Sequence, residues 1–131
     1  MALRLRLQQT NASHALTYAR VHTERSRLLR EWSAFFSAYP VVIGPTLGHP
    51  IWPIDADIDP DSGVQRIAQA TRFITPGNAL GLPSLALPMA ITDQLPSSIL
   101  IYADLWREDL CLRAAEIIEG GVGAAPPIDV R

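Results

Sequence analysis

A chain of 131 residues, 48% hydrophobic and 18% charged, is long enough for one domain with a real core and is far from a disordered composition. Its net charge of −2 shows none of the clustered positive charge that nucleic-acid binding requires. All eleven basic residues are arginine, whose guanidinium stays protonated at neutral pH, so no mechanism that needs a deprotonated lysine can run on these residues alone.

Residues 1–13 read as a flexible lead-in, polar and turn-prone from Gln8 to Ser13. A helix is predicted from His14 to Ala38, with Tyr18, Val21, Leu28, Trp32 and Phe35 on one stripe at three-, four- and seven-residue steps. Arg20, Glu24, Arg27, Arg30 and Glu31 fill much of the other face and read as its solvated side. Pro40 ends the helix, because the residue before a proline is pushed out of the α region. Val41-Val42-Ile43 follows as a short buried strand, stopped by Gly44-Pro45.

Residues 44–63 form a long loop with prolines at 45, 50, 53 and 60, the kind of loop that borders a site or an interface. Val64 to Phe73 reads as a helix capped by Asp61 or Ser62, with Ile67, Ala70 and Phe73 facing in. Thr75 to Pro83 reads as loop, Ser84 to Leu87 as a second strand ended by Pro88, and Ser97 to Tyr102 as a third. The connection through Thr92, Asp93 and Gln94 suits an irregular hairpin or a crossing loop. Asp104 is the expected N-cap of a last helix, with Leu110, Ala114, Ile117 and Ile118 as its buried stripe and Gly120-Gly121 as its end. Residues 121–131 read as a loose tail.

The lone Cys111, in Leu110-Cys111-Leu112, rules out an internal disulfide and a multi-thiolate zinc site, and reads as a small buried hydrophobe. No apolar run reaches the ~18 residues of a membrane span, and the leucine–arginine alternation of residues 3–7 does not open a signal-peptide core. The expected location is cytoplasmic, with no membrane or nucleic-acid partner and no cofactor. His14, His22 and His49 lack metal-ligand spacing, and Asp55, Asp57, Asp59 and Asp61 fail the calcium-loop pattern, with Ser62 where glycine belongs and Ala68 where the bidentate glutamate belongs.

Three segments together resemble the C-terminal portion of amidase-signature enzymes, hydrolases with a Ser-cisSer-Lys catalytic set. One is Val41-Val42-Ile43-Gly44-Pro45-Thr46 after an arginine-rich helix, similar to an apolar strand ending in Pro-Thr. The most specific is Thr75-Pro76-Gly77-Asn78-Ala79-Leu80-Gly81-Leu82-Pro83, similar to Thr-x-x-Asn-x-x-Gly-x-Pro before an apolar strand and Pro88. The third is the terminal helix with Glu108, Leu110 and Ala114-Ala115-Glu116. The resemblance covers residues 14 to 120. Its implied fold is α/β, a partial amidase-signature fold ordered helix-strand-helix-strand-strand-helix, with an incomplete mixed sheet and flanking helices.

That resemblance implies amide hydrolysis or transfer through an acyl-enzyme, with a lysine as the ultimate base for the serine pair. The catalytic set lies outside the matched region. Ser97-Ser98 does not rebuild it: the family reads Gly-x-Pro-x-Gly into a strand here, a pattern from which Leu95-Pro96-Ser97-Ser98 departs, and the pair reads as strand-entry hydroxyls bonding to backbone. No catalytic residue is therefore assigned. In the family the long loop can border the substrate cleft, so the resemblance implies a cleft-wall role for His49 and Trp52, and with the middle motif for Thr75 and Asn78. The chain is expected to be inactive alone, a C-terminal fragment or pseudoenzyme, whose partner is a catalytic N-terminal amidase chain. The alternative is an interaction module or homo-oligomer that uses the surface left bare.

Overall fold

Five consecutive residues, Ile99 to Ala103, alternate between the two faces of one strand and so feed two separate cores. The computed structural model describes residues 15–92 and 95–123. The lead-in with His14, the two residues between the hairpin strands and the segment from Ala124 lie outside the described residues. The elements run α1 (Ala15–Ala38), β1 (Val41–Pro45), α2 (Gly63–Ala70) with a 3-10 turn at Thr71–Phe73, α3 (Thr75–Leu80), β2 (Ser84–Thr92), β3 (Leu95–Ala103) and α4 (Glu108–Val122).

The strands form one sheet in the order β1-β3-β2, antiparallel throughout. The parallel component of a mixed sheet is not among the described strands. β3 is central, with Ile101 set between Ile43 and Leu85. Its odd residues face α4, where Ile101 and Ala103 meet Cys111 and Ala115. Small side chains at 111 and 115 let the helix lie close to the sheet. The even residues, Leu100 and Tyr102, meet Phe36 of α1 with Leu80 and Leu82, and Leu28, Leu29 and Trp32 close the cluster. Helices therefore cover both faces of a three-stranded sheet.

Several sequence expectations shift for identifiable reasons. The buried stripe of α1 runs through Leu28, Leu29, Trp32 and Phe36, while Tyr18, Val21 and Phe35 are exposed. The apolar periodicity is real, but the sheet meets a neighbouring stripe of the helix. Val41–Ile43 is not fully buried: β1 is an edge strand, and Ile43 is 55% exposed. Both later strands are longer than expected, because Pro88 sits on an outer edge where its missing N–H costs no ladder bond, and a register shift follows it between Pro88 and Ala90. They form the hairpin alternative, with Thr92 opposite Leu95.

The Thr75–Pro83 stretch contains the helix α3, not loop alone. Pro76 is tolerated in its first turn, and Gly81, in the left-handed region at φ 76°, ends it with its N–H on the Gly77 carbonyl. Arg25 reaches from α1 to the same end, donating to the carbonyls of Ala79 at 2.7 Å and Leu80 at 2.6 Å. Those are carbonyls the helix cannot satisfy itself. Asp104 does not cap α4, whose N-cap is Arg107; its carboxylate accepts from Ser33 of α1 at 2.7 Å and from the Leu105 N–H at 2.9 Å. α4 passes through Gly120 and Gly121 and ends at Gly123, while Ile117 is exposed. Phe73 is 37% exposed and carries Arg72 over its ring.

Candidate functional site

Where β1 runs out and β3 begins, the two strand ends and the loop after β1 enclose an open hollow of about 500 Å³. Pro45, Leu47, Ile51, Leu95 and Pro96 supply its apolar surface, and Thr46, His49, Ser97 and Ser98 its polar groups. The register brings this about: Pro45 stands opposite Ile99, so the next residue outward on each strand, Thr46 and Ser98, meet across the ladder. The Ser98 hydroxyl donates to the Thr46 hydroxyl at 2.7 Å, and the Thr46 N–H bonds the Ser98 carbonyl at 3.5 Å. The expectation of serine-to-backbone bonding is thus replaced, at Ser98, by a bond between side chains.

The loop that carries His49 is tied down from one side. Gly48 donates its N–H to the Ala70 carbonyl at 2.8 Å, and its own carbonyl accepts from Arg72 at 3.4 Å. His49 Nδ1 lies 2.8 Å from the Pro50 carbonyl, which can only accept, so this nitrogen carries the proton and leaves Nε2 as the acceptor of the neutral ring. The ring stands 6.1 Å, centroid to centroid, from Trp52, which is half-buried.

The four expected cleft residues separate into two pairs. His49 lines the hollow and Trp52 packs beside it. Thr75 and Asn78 are exposed on α3 and do not line it; the Thr75 hydroxyl donates to the Thr71 carbonyl at 2.9 Å and the Asn78 N–H to the Ile74 carbonyl at 3.1 Å. Sequence reasoning passed over Thr46 as a lining residue. The signal was present in Pro45-Thr46, but only the β1–β3 register sets it against Ser98.

The geometry can hold a ligand but offers no activated nucleophile at Ser98. A serine hydroxyl attacks only when a base takes its proton, and here that proton goes to another hydroxyl. Among the described residues, no group of three or more His, Cys, Asp or Glu converges as a metal site, and no helix is long and apolar enough to cross a membrane. A second hollow of about 330 Å³, lined by Glu31, Trp32, Phe35 and Val42, lies where α1 meets β1, the edge strand.

Comparison with known proteins places this geometry in a family. The model of the Amidase family matches residues 1–112. An indoleacetamide hydrolase from Bradyrhizobium japonicum is 37% identical over 100 residues, which make up 76% of this chain and 22% of that protein. A glutamyl-tRNA(Gln) amidotransferase subunit from Thermus thermophilus is 29% identical over 108 residues, 82% of this chain and 22% of that one. The crystal structure of the corresponding protein from Thermotoga maritima superimposes with a TM-score of 0.74 at 21% identity, across 98% of this chain and 29% of that chain, a likeness of fold. The chain spans about a fifth of the length of these curated relatives. With the family match over most of its length and the shared fold, the chain belongs to the Amidase family.

Proposed function

We propose that this chain is the C-terminal, cleft-forming section of an amidase-signature hydrolase of carbon–nitrogen amide bonds, and that it turns over no amide by itself. The hollow between the β1 and β3 ends is then one wall of the substrate cleft, with His49, backed by Trp52, and the Thr46–Ser98 hydroxyls as its polar groups. Thr75 and Asn78 act from α3, at a distance from that hollow. The observation that carries this reading is the Ser98 hydroxyl bonded to Thr46 in a chain without a lysine. The nucleophile and base belong to a catalytic portion that works with this one, on the same polypeptide or on a separate chain. We assign it to the cytoplasm, where a buried reduced Cys111 is at home.

A second reading, a non-catalytic interaction module or homo-oligomer, draws on the exposed Phe35, Tyr39 and Ile43. An aryl-amide assay on the purified chain tests the first. No turnover is expected; turnover abolished by Ser97→Ala or Ser98→Ala overturns the proposal. Light scattering tests the second, which a monomer at micromolar concentration rejects.

A further inference from the structure

Among the described residues, no aspartate, glutamate or arginine lines the hollow between the β1 and β3 ends. Its volume of about 500 Å³ suits a small molecule. Arg72 comes to the same loop without lining the hollow: its guanidinium bonds the Gly48 carbonyl at 3.4 Å and lies over the Phe73 ring, 4.9 Å from the centroid. A ligand in the hollow therefore meets apolar wall and uncharged polar groups, with no side chain to neutralise a charge of either sign.

Two of those polar groups have a defined sense. His49 commits Nδ1 to the Pro50 carbonyl, 2.8 Å away, so Nε2 of the neutral ring can only accept. Trp52, 6.1 Å from the imidazole between centroids, stands beside the ring and limits its turning. The Thr46 hydroxyl takes the Ser98 proton at 2.7 Å and keeps its own hydrogen to donate. One acceptor and one donor on an apolar wall are the complement of a carboxamide. A carboxylate would set a lone pair against Nε2. An ammonium could donate to Nε2, but would lose water against Pro45, Leu47, Ile51 and Leu95 with no counter-charge.

We propose that this hollow selects neutral primary amides with an apolar substituent, and that His49 is the residue that reads them, its Nε2 accepting from the carboxamide N–H. The apolar substituent lies against the proline and leucine wall. His49 acts here on specificity and positioning, with no part in attack on the carbonyl. The proposal rests on the reading of the hollow as a wall of the substrate cleft and adds to it the class of substrate.

The test is a binding series followed by amide chemical shifts of the full 131-residue chain. The probes share one phenyl ring: 2-phenylacetamide, its N,N-dimethyl amide, phenylacetate and 2-phenylethylammonium. Each is added up to ~20 mM, enough to fill a site of millimolar affinity. At about pH 8, where free imidazole is neutral, phenylacetamide is expected to shift the Leu47, His49 and Ser98 amides saturably. Phenylacetate and phenylethylammonium should bind at least ~10-fold more weakly, and the dimethyl amide, which has no N–H to give, ~5-fold more weakly. His49→Phe should bring the primary and dimethyl amides level while keeping the preference for neutral probes. His49→Gln, which restores an acceptor, should recover part of the difference. Either charged probe binding as tightly as phenylacetamide overturns the proposal and leaves the cleft reading standing. So does a dimethyl amide that binds as well as the primary one, or a His49→Phe variant that still tells them apart. If no probe shifts these three amides, the hollow is not a ligand site, and the cleft reading falls together with the proposal.

Discussion

Gly77 shows why a motif residue can be recognised before its reason is known. Gly77 and Gly81 both stand in the 75–83 motif, where a glycine can mark a position of left-handed backbone. Only Gly81 is one, at φ 76°. Gly77 is constrained by its neighbour: a Cβ there would stand 2.4 Å from Cε1 and 2.9 Å from the hydroxyl of Tyr102. That hydroxyl donates to the Phe73 carbonyl at 2.7 Å, so the tyrosine has little room to yield. In an open helix, Gly→Ala gains about 1 kcal/mol. Here Gly77→Ala is expected to destabilise by about 1–3 kcal/mol, the usual scale of overpacking. Tyr102→Phe, which loses only the hydrogen bond, should cost about 1 kcal/mol. Urea unfolding measures both, and a stabilised Gly77→Ala variant would show that the ring is not fixed.

At the scale of elements, the start of α2 carries a pH-sensitive turn outside the core. Among the carboxylates of the 55–61 stretch, Asp59 holds the turn: its Oδ1 accepts from the N–H groups of Asp61 and Ser62, at 3.0 and 2.8 Å, and from the Ser62 hydroxyl at 3.0 Å. Ser62 is the N-cap residue, yet its side chain makes no capping bond. The Ser62 backbone bond, then its hydroxyl, then the Asp61 N–H hold the Asp59 carboxyl below its ordinary range. A folded-state pKa below the unfolded one adds stability at neutral pH that is lost as pH falls through the folded value. Amide exchange at Asp61 and Ser62 should therefore quicken on acidification below about pH 4, relative to neighbouring amides. Asp59→Asn keeps an acceptor but does not titrate, and should flatten that dependence. An unchanged profile in the variant would reject Asp59 as the group responsible.

Across the whole molecule, Cys111 reports on the union of α4 with the sheet. Its Sγ lies 3.7 Å from the Ile101 carbonyl and 3.8 Å from the Pro83 carbonyl. Burial first, and then the charges of Glu108 and Asp109, push the thiol pKa up. Below the unfolded thiol's pKa of about 8.5, both states hold the proton and the group contributes no pH dependence. Above it the unfolded chain loses the proton that the folded chain keeps, so stability falls as pH rises. Cys111→Ala should remove this slope between about pH 8 and 9.5, below the range in which Tyr102, raised by its own burial, adds a loss of the same sign. Reaction of the native thiol with a disulfide reagent should be slow and should follow denaturant. Fast native labelling would mean that α4 lifts from the sheet without global unfolding.

The sequence by itself determined the family, most of the element order, the absence of lysine and the inward setting of Cys111. These are local: they depend on composition, on periodicity and on motifs read along the chain. It located the 75–83 motif but not the helix within it, because Pro76 and Gly77 lower helix propensity and the stabilising contacts come from Arg25, 54 and 55 residues away. The resemblance implied a cleft-wall role for His49 and Trp52 together with Thr75 and Asn78, and it could not tell the two pairs apart, since the distance between two segments is not written in either. Only the tertiary structure decided that Thr46 meets Ser98, that α1 turns Phe36 inward in place of Phe35, and that β1 stands at an edge. Each of those depends on strand register or on which side of a helix meets the sheet, and a shift of one residue reverses the answer.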